Sequence, residues 1–190
     1  CMLLTCHYPL LKGQDGNSRM REDYYANIEL LWEHARKREI GLMGFTMVTP
    51  HGDYALPSAN ELRWQVYSYL AYGAKGIWYY NYRIHPGEVY GEGMVAHETG
   101  APTASYAMVR AINQELHTLA PVLLALRSTA VYHTGPDYPL GIRPYRRGRV
   151  PGLVYFAGDR FLLGCFRHAD EPMDRDVYLM VVNKRHRHQA

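Results

Sequence analysis

SANELRWQVYSYLAYGAKGIWYYNYR, Ser58 to Arg83, decides the fold, because it reads as a helix, a glycine stop and a buried strand in immediate succession. Ser58 followed three residues later by Glu61 is a capping box, in which the hydroxyl takes an orphan backbone N–H and the carboxylate reaches back to the cap. Leu62, Val66, Tyr69 and Leu70 recur at helical spacing, and Gly73 stands where a left-handed residue ends the helix near Tyr72. Arg63 and Gln65 fall on the polar side of that helix. The run Ile77-Trp78-Tyr79-Tyr80-Asn81-Tyr82 is short, β-favouring and nearly continuous, which predicts a parallel strand covered on both faces. Alternation puts Tyr80 and Tyr82 on one side and Tyr79 on the other.

Upstream, an apolar strand over residues 2–6 ends in His7-Tyr8-Pro9. A polar, Gly-containing stretch over 12–21 reads as a loop, and a helix follows from about Glu22 to Arg38 with Ile28, Leu31, Trp32 and Ala35 on one face. Gly41 to Thr49 is a second buried strand, closed by Pro50-His51-Gly52-Asp53. The order β, α, β, α, β predicts parallel strands with right-handed crossovers, hence a doubly wound sheet or a (β/α)8 barrel. No GxGxxG and no Walker sequence follows a strand, which removes support for a nucleotide-binding sheet. All three strands end in His, Tyr, Asp or Asn, the way barrel strands deliver residues to their C-terminal face. A strand that begins at the first residue predicts a piece of a longer polypeptide.

Downstream, a third helix is expected from about Thr103 to Leu119, with Val109, Ile112, Leu116 and Leu119 as its stripe and Pro121 as its stop. The period then changes. Residues 127–134, 152–156, 161–168 and 177–183 are short β runs divided by Gly, Pro and Asp turns, which predicts antiparallel strands. The chain therefore divides into an α/β part over 1–126 and the start of a β-sandwich-like part over 127–190.

The 190 residues are 47% hydrophobic and 21% charged, an ordinary globular composition. A formal charge of +3 with scattered Lys and Arg argues against a nucleic-acid partner, and no stretch approaches the length of a membrane span. Cys1, Cys6 and Cys165 show neither CxxC spacing nor an even count, and no HExxH pattern occurs, so no metal site or cofactor is implied. Seventeen tyrosines and three tryptophans suit either a well-filled core or a surface on which sugars stack.

The stretch Glu61-Leu-Arg-Trp-Gln-Val-Tyr-Ser-Tyr-Leu-Ala-Tyr-Gly-Ala-Lys-Gly-Ile followed by an aromatic strand resembles the last units of beta-galactosidase-like glycoside-hydrolase (β/α)8 barrels. His7-Tyr8-Pro9 at a strand end is similar too, and so is the helix running into Ala120-Pro-Val-Leu-Leu-Ala-Leu-Arg-Ser-Thr-Ala-Val-Tyr, at the join to a C-terminal β-domain. The resemblance covers most of residues 1–135. It implies an α/β fold made of about strands six to eight of a TIM barrel, followed by a partial antiparallel β-domain.

It also implies chemistry. Retaining glycosidases use an acid/base glutamate and a nucleophile glutamate, which such barrels carry after strands four and seven. The first would precede Cys1, and the second is absent from Met47 to Asp53, where Asp53 is the one carboxylate and sits in a Gly-Asp pair that turn chemistry also favours. The chain alone is thus expected to be inactive, as a fragment of a retaining hydrolase or as a non-catalytic carbohydrate-binding or structural relative. The expected sugar contacts are His7, Tyr8, His51, Tyr80, Asn81 and Tyr82 at the C-terminal edge, with Tyr80 or Tyr82 offering a ring face and His7 a hydrogen bond. Glu88, Glu92, His97 and Glu98 lie on the following loop, either against substrate or in solvent, and His186-Arg187-His188 reads as tail.

Overall fold

The computed structural model describes residues 1–14, 17–84, 90–135, 141–156, 158–170 and 176–185. Glu88 and the cluster 186–188 lie outside them. Strands β1 (Met2–Leu3), β4 (Gly41–Met47) and β5 (Gly76–Tyr80) form a parallel sheet in the order β1-β4-β5. Helices α1 (Tyr24–Lys37) and α2 (Ala59–Ala71) are its crossovers, and α3 (Ala104–Ala125) follows β5. Strands β2 (Leu10–Lys12) and β3 (Ser18–Met20) make a hairpin. Strands β6 (Leu126–His133), β7 (Phe161–His168) and β8 (Tyr178–Asn183) make an antiparallel sheet with β7 in the centre.

This architecture corrects the expected (β/α)8 barrel. Among the described residues three helices and three parallel strands are present, and the parallel sheet stays open at β1 and β5. Alternation of strands and helices dictates parallel crossovers, but closure depends on strand number and stagger, which local sequence does not carry. The antiparallel sheet packs against helix α2. Residues 152–156, expected as a strand, form none.

Helix α2 forms as its caps require. The Ser58 hydroxyl accepts from the Glu61 amide, the Ser58 amide donates to the Glu61 carboxylate at 2.9 Å, and Gly73 closes the helix at φ +87°. Its burial goes well beyond one stripe. Leu62, Val66 and Leu70 are buried with Val48 and Ile112, while Trp64, Tyr69 and Ala71 join Phe45, Met47 and Leu162. Gln65, expected on the polar side of the helix, is fully buried and accepts the Met47 amide at 3.1 Å. Arg63 reaches across to Glu115 of α3.

Two glycines allow the sheets to close on this helix. A Cβ on Gly44 of β4 would stand 2.7 Å from the Tyr69 side chain, and one on Gly164 of β7 would stand 2.2 Å from the Ala71 carbonyl oxygen. Both distances are below any real contact, so α2 is gripped from both sides.

Other departures from the sequence reading have local causes. Residues 10–12 and 18–20 pair where a loop is expected, because Leu10 is buried and the Ser18 hydroxyl donates to the Glu61 carboxylate. Strand β1 pairs over only two residues. Helix α3 runs through Pro121 to Ala125, where Lys75 Nζ donates to the carbonyls of Leu123 and Leu124 and caps the end. Strand β5 is an edge covered on one face, so Trp78 is 58% exposed.

Between α1, α2 and β6 lies a buried polar seam. Tyr72 Oη sits 2.9 Å from His133 Nε2, Trp64 Nε1 donates to Tyr25 Oη, and Trp32 Nε1 donates to Ser128 Oγ. Burial, with nearby Lys184 adding to it, pushes the His133 imidazole down to about 3.

Two outcomes follow from this packing. Gly164→Ala forces a backbone or helix shift and should lower stability by about 1–3 kcal/mol in urea unfolding. His133 is neutral when folded and takes up a proton once unfolded, so stability should fall as pH drops from about 6.5 towards 3. His133→Asn should flatten that part of a plot of unfolding free energy against pH.

Candidate functional site

The C-terminal ends of β4 and β5 are tied together by hydrogen bonds. The amides of Val48 and Thr49 both donate to the Tyr80 carbonyl, at 2.7 and 3.1 Å, and the Asn81 amide donates to the Thr49 hydroxyl at 3.0 Å. The peptide between Tyr80 and Asn81 is cis. Beyond β4 the chain turns at His51-Gly52-Asp53-Tyr54, closed by the Tyr54 amide on the His51 carbonyl, with Gly52 at φ +51°.

Aromatic rings from four segments collect there. Tyr8, 6% exposed, packs against Phe45 at 5.7 Å, His51 at 5.4 Å, Tyr54 at 5.4 Å and Tyr80 at 5.7 Å. His51 also meets Tyr54 at 5.0 Å, Tyr80 at 5.2 Å and Tyr90 at 5.2 Å. Edge-on and tilted contacts at these separations are the favourable ones for rings. His51 Nδ1 lies 3.0 Å from the Thr49 carbonyl oxygen, which can only accept, so Nδ1 carries a proton. In the neutral ring Nε2 is then an acceptor. Burial pushes the Tyr8 phenol well above its usual range, with Cys6 and Tyr80 adding to it. Tyr8 therefore stays a neutral hydroxyl at the rear of the cluster.

Of the residues expected from sequence, Tyr8, His51 and Tyr80 come together and the others do not. His7 turns towards α1, with Nε2 at 3.3 Å from Asp23 and 3.2 Å from Asn27 and its ring stacked on Tyr24. Burial and the Arg21 charge pull its imidazole below the usual range, against the opposite pull of Asp23. Asp53 is exposed, and its carbonyl takes the Lys12 amide. Asn81 holds the next loop, accepting the Met94 amide on its carbonyl and the Arg83 amide on Oδ1. Strand β5 ends at Tyr80, so its alternation does not reach Tyr82, which is exposed and accepts the Val95 amide. Tyr79 faces away and donates to Asn113.

Tyr54 and Tyr90 are the cluster members that sequence reasoning missed. Tyr54 is placed by the turn and by its bridge to Leu11 in β2. Tyr90 is placed by a bridge to His51 and by Gly91, where a Cβ would stand 2.4 Å from the Pro50 ring. Neither placement leaves a periodic signal in the sequence.

Three carboxylates near this edge are engaged structurally. Glu61 closes the cap of α2 and accepts Ser18, Asp23 takes two hydrogen bonds from Arg21, and Glu92 takes the His97 amide. Among the described residues no group of three His, Cys, Asp or Glu side chains could hold a metal ion, and no helix is long and apolar enough to cross a membrane.

The retaining glycoside hydrolase expected from the resemblance is therefore corrected together with its barrel. The expected enzyme places its two carboxylates on the closed rim of that barrel, and the open three-stranded sheet does not supply such a rim. The comparisons with known proteins lend the resemblance no support either: no family model and no curated protein matches the chain.

Proposed function

We propose that the protein binds carbohydrate without hydrolysing it, at the aromatic cluster on the C-terminal edge of the parallel sheet. The observation that carries this reading is the convergence of Tyr8, His51, Tyr54, Tyr80 and Tyr90 from four segments, with Tyr8 buried and Tyr90 40% exposed. Sugars present apolar C–H faces between hydroxyl edges, and they are held by ring faces beside a few fixed polar groups. The cluster offers both: half-buried rings at His51, Tyr54 and Tyr80, and the phenol and imidazole groups they bear. Tyr8 supports the others from behind. The structural duties of Glu61, Asp23 and Glu92 favour binding over double displacement.

Isothermal titration of the chain against a panel of oligosaccharides should give saturable binding. Tyr90→Ala and His51→Ala should each weaken it by about tenfold, roughly 1.4 kcal/mol. Tyr90→Ala should leave the melting temperature nearly unchanged, because that ring is partly in solvent already. Aryl glycosides incubated with the protein should not turn over. An absence of binding to the whole panel at millimolar concentration, or alanine variants that bind as the parent does, would overturn this reading.

A further inference from the structure

Between β6 and β7 the chain makes an excursion whose residues 141–156 contain four arginines and no aspartate or glutamate. Its stem is fixed to the sheet. The His133 amide donates to the Arg143 carbonyl at 2.8 Å, and the Tyr145 amide donates to the His133 carbonyl at 2.7 Å. The Tyr145 ring meets Phe156 at 6.1 Å, and Phe156 meets Phe161 of β7 at 5.4 Å, so both ends of the stem stand together. Arg143 is engaged with α1, where it pairs with Glu29 at 3.4 Å and Glu33 at 2.7 Å.

Beyond the stem come two successive turns. The Arg149 amide closes the first on the Arg146 carbonyl at 3.1 Å, and the Leu153 amide closes the second on the Val150 carbonyl at 3.2 Å, with Gly148 at φ +82° and Gly152 at φ +79°. A Cβ on either glycine would meet nothing within 4 Å, so both turns stand clear of the rest of the described chain. Arg146, Arg147 and Arg149 are exposed on them and form no ion pair among the described residues. Val150 is buried, yet Val154 and Tyr155 are 73% and 76% exposed, more than any other large apolar side chain among the described residues.

Three arginines alone would suit any polyanion. Their apolar neighbours narrow the choice, because Val154 and Tyr155 need an apolar medium directly beside the negative charge. A protruding tip also fits a surface that yields around it. An anionic bilayer supplies both layers, with headgroup charge outside and acyl chains beneath, and tyrosine is favoured at that boundary. Arginine stems lie along apolar surface while their guanidinium groups reach phosphate. We propose that the tip over residues 146–155 is a docking surface for an anionic lipid bilayer, with Val154 and Tyr155 entering the interface and Arg146, Arg147 and Arg149 pairing with headgroup anions. Such attachment is peripheral and requires no membrane-spanning segment. It shares no residue with the aromatic cluster.

The test is flotation of the chain with vesicles of phosphatidylcholine, alone or with about 30% phosphatidylserine. The mixed vesicles should bind at least about tenfold more tightly, and the difference should shrink as salt rises from about 50 to about 300 mM. Arg147→Gln should weaken binding by about fivefold and the triple change R146Q/R147Q/R149Q by about a hundredfold, whereas Arg110→Gln on α3 should cost less than about twofold. Val154→Ser combined with Tyr155→Ser should cost about tenfold. All these side chains are exposed, so each variant should keep the parent's melting temperature, and lost flotation then means lost contact. No flotation with phosphatidylserine, or equal flotation with phosphatidylcholine alone, would overturn the proposal. So would an Arg110→Gln loss as large as that of Arg147→Gln, since net charge and not the tip would then be acting. A double serine variant that floats as the parent does, and binds a polyglutamate peptide as tightly, would assign the arginines to an acidic protein and overturn the lipid reading.

Discussion

Everything in this molecule depends on helix α2 being buried around most of its circumference. Most helices at a protein surface face a core on one side and water on the other, but α2 lies between a parallel sheet and an antiparallel one. That position is available because Gly44 and Gly164 remove side chains where backbone and helix come closest. Gln65 Oε1 accepts the Met47 amide there, and Ser68 meets the Tyr25 hydroxyl. The chain thus has a helix for its centre, and each sheet is a layer laid on it.

The site inherits its geometry from the N-terminal end of the same helix. Glu61 completes the cap of α2 and also accepts Ser18 of the hairpin, so one carboxylate ties the start of the central helix to β3. Just beyond that strand come Arg21 and Asp23, whose pairing reaches the Tyr54 hydroxyl. The turn that carries Tyr54 is tied in turn to β2 through the Lys12 amide. A residue that looks catalytic by type is therefore structural, and its effect on the site passes through backbone placement.

Local chemistry made part of this legible in advance. The capping box at Ser58 and Glu61 and the left-handed Gly73 bracket α2, because caps depend only on neighbours in sequence. Parallel pairing of β4 with β5 follows from the crossover helix between them. Gln65 was misplaced because a polar side chain is legible as polar, while its partner at Met47 is not. Barrel closure was misjudged for a related reason: a βαβαβ segment has the same local pattern whether or not its sheet closes. Tyr8, His51 and Tyr80 could be named because strand ends bring them to one edge. Tyr54 and Tyr90 could not, since a turn and an isolated bridge place them, and neither has a period.

The unequal environments of the three tryptophans give the protein an internal optical probe. Trp32 and Trp64 are buried in the aromatic core, the first between the guanidinium groups of Arg36 and Arg143, whereas Trp78 stands on the uncovered face of β5. Its indole emits into water, and an aqueous collisional quencher reaches it while the other two stay shielded. Through Phe45 it adjoins Tyr8, so the quenchable fraction of the emission originates next door to the aromatic cluster and reports on that face of the sheet with no label attached.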